Sequence, residues 1–351
     1  MTGEPPPASP PPAPDRSLGY AIAVSLVLIA IAVLGAAGVS RLARPTPTPS
    51  ASFLRPSPAS PASAEPQATD SSAFVFTQPL SAGCAAGDAV YVVSDGGGIG
   101  RFAFDRWQLV DPIARSLVAA TCQGDVLTAV GGGGRVVTIN DREQTIRSDT
   151  VLFGDLLGVA PLGDGVLAVG RSGTVQRQGA GGWSVYANGI DEDLVAVAAF
   201  GPSSAWAVGA GGVSYRLEPA GWRPVPTDVT ATLRAIAARA VDDAVVVGDD
   251  GVILAWTGRW TPVGGVPKVS YRAVLRVGSA VYAAGDHGTL VRFSDPIARS
   301  DATPVDLGTT CTLRALFSRG DAVWVIGSEG GRAAVWRVGS DRSIAGWGAC
   351  P

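Results

Sequence analysis

Three arginines, Arg234, Arg272 and Arg314, each stand one residue after an apolar anchor, Leu233, Tyr271 and Leu313, in a context that repeats along the chain. A guanidinium is a planar, permanently charged fork that grips a carboxylate through parallel N–H···O bonds, so position-matched arginines are candidates for one anion-binding arc. The corresponding position of the other copies holds Ser81, Val118, Leu157 and Val195 and carries no charge. Acidic residues occupy glycine turns expected on the same face: Asp249, Asp250, Asp286 and Glu329, with His287 beside Asp286. Two readings stay open. In one, the arginines hold a carboxylate-bearing ligand such as a peptide C-terminus or an acidic segment of a protein partner. In the other, each pairs with an acidic loop residue such as Asp228 or Asp306 and tethers neighbouring repeats.

Other chemistry is sparse. His287 is the single histidine, so a metal site built on histidines is excluded by counting, and no cofactor is implied. It is expected to be an exposed turn residue. Retaining hydrolysis of the sialidase kind needs an arginine cluster, a tyrosine nucleophile with a glutamate partner, and an aspartic acid. Glu143, Glu192, Glu218 and Glu329 stand in no recognisable sequence context with Tyr186, Tyr215, Tyr271 or Tyr282. The residues therefore point to binding rather than catalysis.

The four cysteines, Cys84, Cys122, Cys311 and Cys350, form no C-x-x-C motif, which disfavours zinc and thioredoxin-like chemistry. Cys84 and Cys122 fall near the same end of consecutive leading strands, while Cys311 and Cys350 begin and end the last repeat. The spacing predicts the disulfides Cys84–Cys122 and Cys311–Cys350, the alternative being four buried thiols.

The elements that position these residues come from a repeat of about forty residues. Taking Gly209 as the zero point, the equivalents are Ser94, Gly131, Gly170, Gly248, Gly285 and Gly327. Three residues later every copy has a glycine: Gly97, Gly134, Gly173, Gly212, Gly251, Gly288 and Gly330. A turn requiring positive φ explains that glycine, and period-two apolar alternation before it marks a strand. A leading strand starts at Leu80, Leu117, Leu156, Leu194, Leu233, Tyr271 and Leu313. Four strands in each of seven copies predict an all-β, seven-bladed β-propeller over residues 71–351. Alternating strand directions put the start of each leading strand and the glycine turn on one face, so the arginines should line one arc of the channel mouth. The ring is closed either by residues 74–77 or by residues 343–348.

Residues 1–17 are a proline-rich tail with no bulky apolar side chain. Residues 18–40 are uncharged and long enough to cross a ~30 Å hydrocarbon layer, and predict a single uncleaved transmembrane helix. Residues 41–70 form a Pro/Ser/Ala-rich linker. Arg41, Arg44 and Arg55 after the span against Arg16 before it would by themselves place the propeller in the cytoplasm. The even cysteine count and the stalk outweigh that asymmetry and place it outside, in a periplasmic or extracellular setting. With 27 basic and 30 acidic residues, the chain has no basic footprint for nucleic acid.

The segments AVGRSGTVQRQ, AWAVGAGGVSYR and VVVGDDGVILAW, the tryptophans Trp107, Trp183, Trp222 and Trp260, and the arginines Arg101, Arg177, Arg216 and Arg292 seven residues after the zero point carry a family likeness. The repeats resemble the BNR-like propellers of the photosystem II assembly and stability factor family and, more distantly, the Asp-box repeats of sialidases. The first resemblance implies a membrane-complex assembly factor, and the second a carbohydrate-binding or glycoside-hydrolysing propeller. The residue pattern itself favours a non-enzymatic scaffold that binds a protein or peptide on the glycine-turn face.

Overall fold

The structure, a computed structural model, describes residues 77–110, 116–150, 154–186, 189–297 and 301–350. The expected tail 1–17, transmembrane helix 18–40 and linker 41–70 lie outside the described residues. Among those described, no helix is long and apolar enough to cross a membrane.

Seven antiparallel sheets of four consecutive strands form the blades of a propeller. Blade 1 is β1 (Leu80–Ala86), β2 (Ala89–Ser94), β3 (Ile99–Ala103) and β4 (Arg106–Val110). Blade 7 is β25 (Leu313–Arg319), β26 (Ala322–Glu329), β27 (Arg332–Val338) and β28 (Ile344–Gly348). The first strand of each blade lies against those of its two neighbours, and β25 lies against β1, so the ring is closed.

Side-chain alternation builds the core. In β2, Val90 and Val92 face blade 7, whereas Ala89, Tyr91 and Val93 face blade 2. Every blade is thus buried on both faces, and the core is a set of seven apolar wedges between blades rather than one central mass. The wedge between blades 7 and 1 is the most aromatic, joining Phe102, Trp107, Phe317 and Trp324 with Trp347 packed against them. Trp324 stacks on Trp347 at 5.4 Å and on Phe317 at 6.0 Å between ring centroids.

Of the two candidate closing segments, the C-terminal one forms the outer strand: β28 pairs with β27 from Ala334↔Gly348 to Val338↔Ile344. Thr77 lies in a turn, and residues 74–76 are outside the described set. Among the described residues each blade is built from one contiguous piece of chain, and blades 7 and 1 meet through side chains.

Both expected disulfides are present. Cys84–Cys122 joins the innermost strands of blades 1 and 2 with Cα atoms 5.6 Å apart, and Cys311–Cys350 ties the end of blade 7 to its beginning at 5.9 Å.

The two repeated glycines answer different demands. At Gly209, whose backbone is extended, a Cβ would collide with the Asp193 carbonyl oxygen across the strand pair. Gly212 has φ +75°, and a Cβ there would also strike the Val229 carbonyl on the way into blade 5. A side chain at the second position is opposed by both the backbone angle and the neighbouring chain.

Polar locks supplement the wedges. Tyr91 donates to Asp141 across blades 1 and 2 at 2.5 Å, and Arg101 reaches the same carboxylate at 2.7 Å. Burial and then the Asp141 hydrogen bond push the Tyr91 hydroxyl up to about 12. Burial pushes the Asp141 carboxyl up, but the Arg101 and Tyr91 hydrogen bonds outweigh it and leave the group below its ordinary value. Between blades 5 and 6, Arg276, its side chain 6% exposed, joins Asp243 at 2.6 Å to Asp295 at 2.8 Å.

Candidate functional site

Antiparallel register sets the geometry of the channel mouth. The strand pairs β17 (Leu233–Ala240) with β18 (Asp243–Gly248) and β21 (Tyr271–Val277) with β22 (Ala280–Gly285) place Leu233 opposite Gly248 and Tyr271 opposite Gly285. In blade 7, Leu313 lies opposite Gly327. A β-bulge just after each anchor leaves the following arginine out of the pairing, and its side chain reaches the residue after the glycine. Arg234, Arg272 and Arg314 all line a central cavity of about 210 Å³, together with small residues such as Ala82, Gly83, Ala119 and Gly158.

Two of the three arginines are already engaged. Arg234 grips Asp249 with both forks at 2.7 Å, and Arg272 grips Asp286 at 2.7 and 3.3 Å. These partners replace the anticipated Asp228 and Asp306. Asp228 is exposed, and Asp306 instead accepts from the Gly308 amide at 2.8 Å. Each pair lies within one blade, because the register joins a strand start to its own turn, so neither pair tethers neighbouring blades. Their fields nevertheless overlap: Asp249 feels Arg272, and Arg234 feels Asp286.

Arg314 differs. Ser328 occupies the position that holds Asp249 and Asp286 in the preceding blades, and Arg314 Nε donates to the Ser328 carbonyl at 3.3 Å. Among the described residues no carboxylate lies within ion-pair distance of it. Asp95, at the equivalent turn position of blade 1, senses its charge: burial raises the Asp95 carboxyl while Arg314 opposes the rise.

The other anticipated residues surround the mouth without touching the arginines. Asp250 and His287 occupy the second turn position with φ 58° and 57°, and both are exposed. That position needs a left-handed backbone, which favours Gly, Asp and His on conformational grounds alone. Glu329 is exposed at the end of β26, opposite Arg332.

The Arg234–Asp249 pair gives a pH test. Chiefly through its hydrogen bond to Arg234, Asp249 has a carboxyl pKa below the usual value. A folded-state value below the unfolded one means the stabilisation is present above about pH 4 and is lost as pH falls through the depressed value. The stability gap between wild type and Asp249→Asn is expected to be widest near neutrality and to close in acid. Denaturant melts at several pH values check this, and a gap that does not change with pH would overturn it.

Sequence context missed one pair. Tyr215 donates to Glu192 at 2.8 Å. Burial and then that hydrogen bond raise the Tyr215 hydroxyl to about 12, the wrong direction for a nucleophilic phenolate. Neither residue lines the central cavity that the arginines line.

Compared with known proteins, the sequence matches no family model and no curated protein. Solved structures do match in shape. The WD40 propeller domain of Doa1 superposes with a TM-score of 0.64 at 13% identity, over 76% of this chain and 95% of that one. U3-55K gives 0.60 at 11% identity, over 72% of this chain and 89% of that one. The WD40 repeats of RRP9 give 0.60 at 11% identity, over 72% and 88% respectively. Blade order, closure and these superpositions together make the described chain a seven-bladed propeller similar in fold to WD40 domains.

Proposed function

We propose that this protein is a membrane-anchored, extracytoplasmic, non-enzymatic scaffold whose channel mouth holds the carboxylate of an acidic or C-terminal peptide segment of a partner through Arg314. The observation that carries the reading is the break in the arc: of three position-matched arginines, Arg314 has no carboxylate of its own blade, because Ser328 stands where an aspartate would neutralise it. Arg234 and Arg272, already neutralised, shape the wall beside it. The uncharged segment 18–40 supports the anchor, and two disulfides support an oxidising compartment. The repeat likeness to the photosystem II assembly and stability factors supports a partner within a membrane complex.

The test is fluorescence anisotropy with acidic peptides carrying either a free or an amidated C-terminus. Arg314→Ala should weaken binding at least about tenfold, the scale of one lost charge-assisted contact. Arg234→Ala should weaken it less, and added salt should weaken it throughout. The reading fails if Arg314→Ala binds like wild type while melting at the same temperature, or if wild type binds none of the peptides.

A further inference from the structure

One register row crosses every blade halfway along its strands and faces the next blade. In blade 1 it reads Cys84, Tyr91 and Arg101; in blade 7 it reads Phe317, Trp324 and Arg337. Tyr91, Phe317 and Trp324 are buried in their wedges, and Tyr91 and Arg101 reach Asp141 of the next blade. Blade 2 has no aromatic or long side chain in this row, and neither does blade 5, whose Ala237, Val245 and Ala255 are packed into an apolar wedge. The blade 2 row, across β5 (Leu117–Gln123), β6 (Val126–Gly131) and β7 (Arg135–Asn140), is Thr121, Thr128 and Thr138. The residue of blade 3 equivalent to Asp141 is Ala180.

A cavity of about 510 Å³ lies between blades 2 and 3, with all three threonines and Ala180 in its wall. That size is in the range of small-molecule sites, about 300–1,000 Å³. Thr128 is only 4% exposed. Among the described residues, no protein group hydrogen-bonds the hydroxyls of Thr121, Thr128 or Thr138. Gln178 and Asp164 add an amide and a carboxylate, Val126 and Val166 add an apolar patch, and among the described residues no basic side chain lines the space. Donors and acceptors are thus supplied without positive charge, which suits a neutral, multiply hydroxylated molecule and disfavours an anion.

We propose that this inter-blade cavity is a binding site for a neutral polyol of monosaccharide size, held by the threonine row of blade 2. Its mouth is at the turns following β5 and β9 (Leu156–Leu162), at the opposite end of the strands from the arginine arc. The two sites are therefore independent.

Saturation-transfer NMR and calorimetry with a panel of neutral monosaccharides, with glucuronate as the anionic counterpart, test the site on the full chain. At least one neutral sugar should bind saturably, glucuronate should bind less well, and Thr128→Val and Thr138→Val should each weaken binding about tenfold. Replacing a hydroxyl that no protein group hydrogen-bonds by an isosteric methyl should leave melting nearly unchanged, so loss of binding is separable from misfolding. Arg314→Ala should leave sugar binding intact. Absence of saturable binding by wild type, as for a cavity that holds water only, or equal binding by both valine variants, would overturn the proposal.

Discussion

Replacing Trp324 by alanine is expected to lower the folding free energy by about 3–5 kcal/mol, the cost of truncating a large aromatic in a packed core. Trp324 is 2% exposed and sits at the centre of the seam between blades 7 and 1, in ring contact with Phe102, Phe317 and Trp347. Among the described residues no shared strand holds that seam, so the loss falls on the contacts that close the ring. The melting temperature should drop by roughly 10 °C. Limited proteolysis should then begin in blades 7 and 1 rather than elsewhere. A loss below about 1 kcal/mol, the ordinary size of a substitution away from the core, would show that the seam does not carry closure.

Removing the Cys311–Cys350 bridge should cost nearly as much. The two cysteines are 39 residues apart in sequence, and releasing a loop of that length returns about 4 kcal/mol of chain entropy to the unfolded state. The local consequence is specific. Among the described residues β28 pairs only with β27, on the outside of its blade, and it loses the tether just beyond its last residue. The double variant Cys311→Ser/Cys350→Ser should show a lower denaturation midpoint, with amide exchange in β28 faster than in β1. A midpoint equal to that of the oxidised wild type would refute this.

Much of the fold could be read from the sequence because a propeller writes its geometry in period. The matched glycines mark seven turns, and the matched anchors mark seven innermost strands. Since cysteine positions map onto the same frame, the two bridges followed from it. Ring closure did not, because residues 74–77 and 343–348 are equally strand-like and pairing is decided by which reaches β27. The site was legible in place but not in partnership. Arg234 and Asp249 lie fifteen residues apart, and their meeting depends on the one-residue offset of the antiparallel register. The signal was present in that blades 5 and 6 each carry arginine after the anchor together with aspartate after the glycine, whereas blade 7 keeps only the arginine. Glu192 and Tyr215 are joined by a loop approach that no spacing announces. The threonine row becomes visible only when three strands are laid in register.

Building every blade from contiguous chain has an evolutionary consequence. Duplication or deletion of one forty-residue unit would leave each described hydrogen-bond ladder whole, since among the described residues no unit borrows a strand from another. Such rearrangements would be constrained at every interface where two flanks must fit, above all where Phe102, Trp324 and Trp347 meet. Copies such as blade 2 and blade 7 are then free to diverge in what they hold while the ring stays the same.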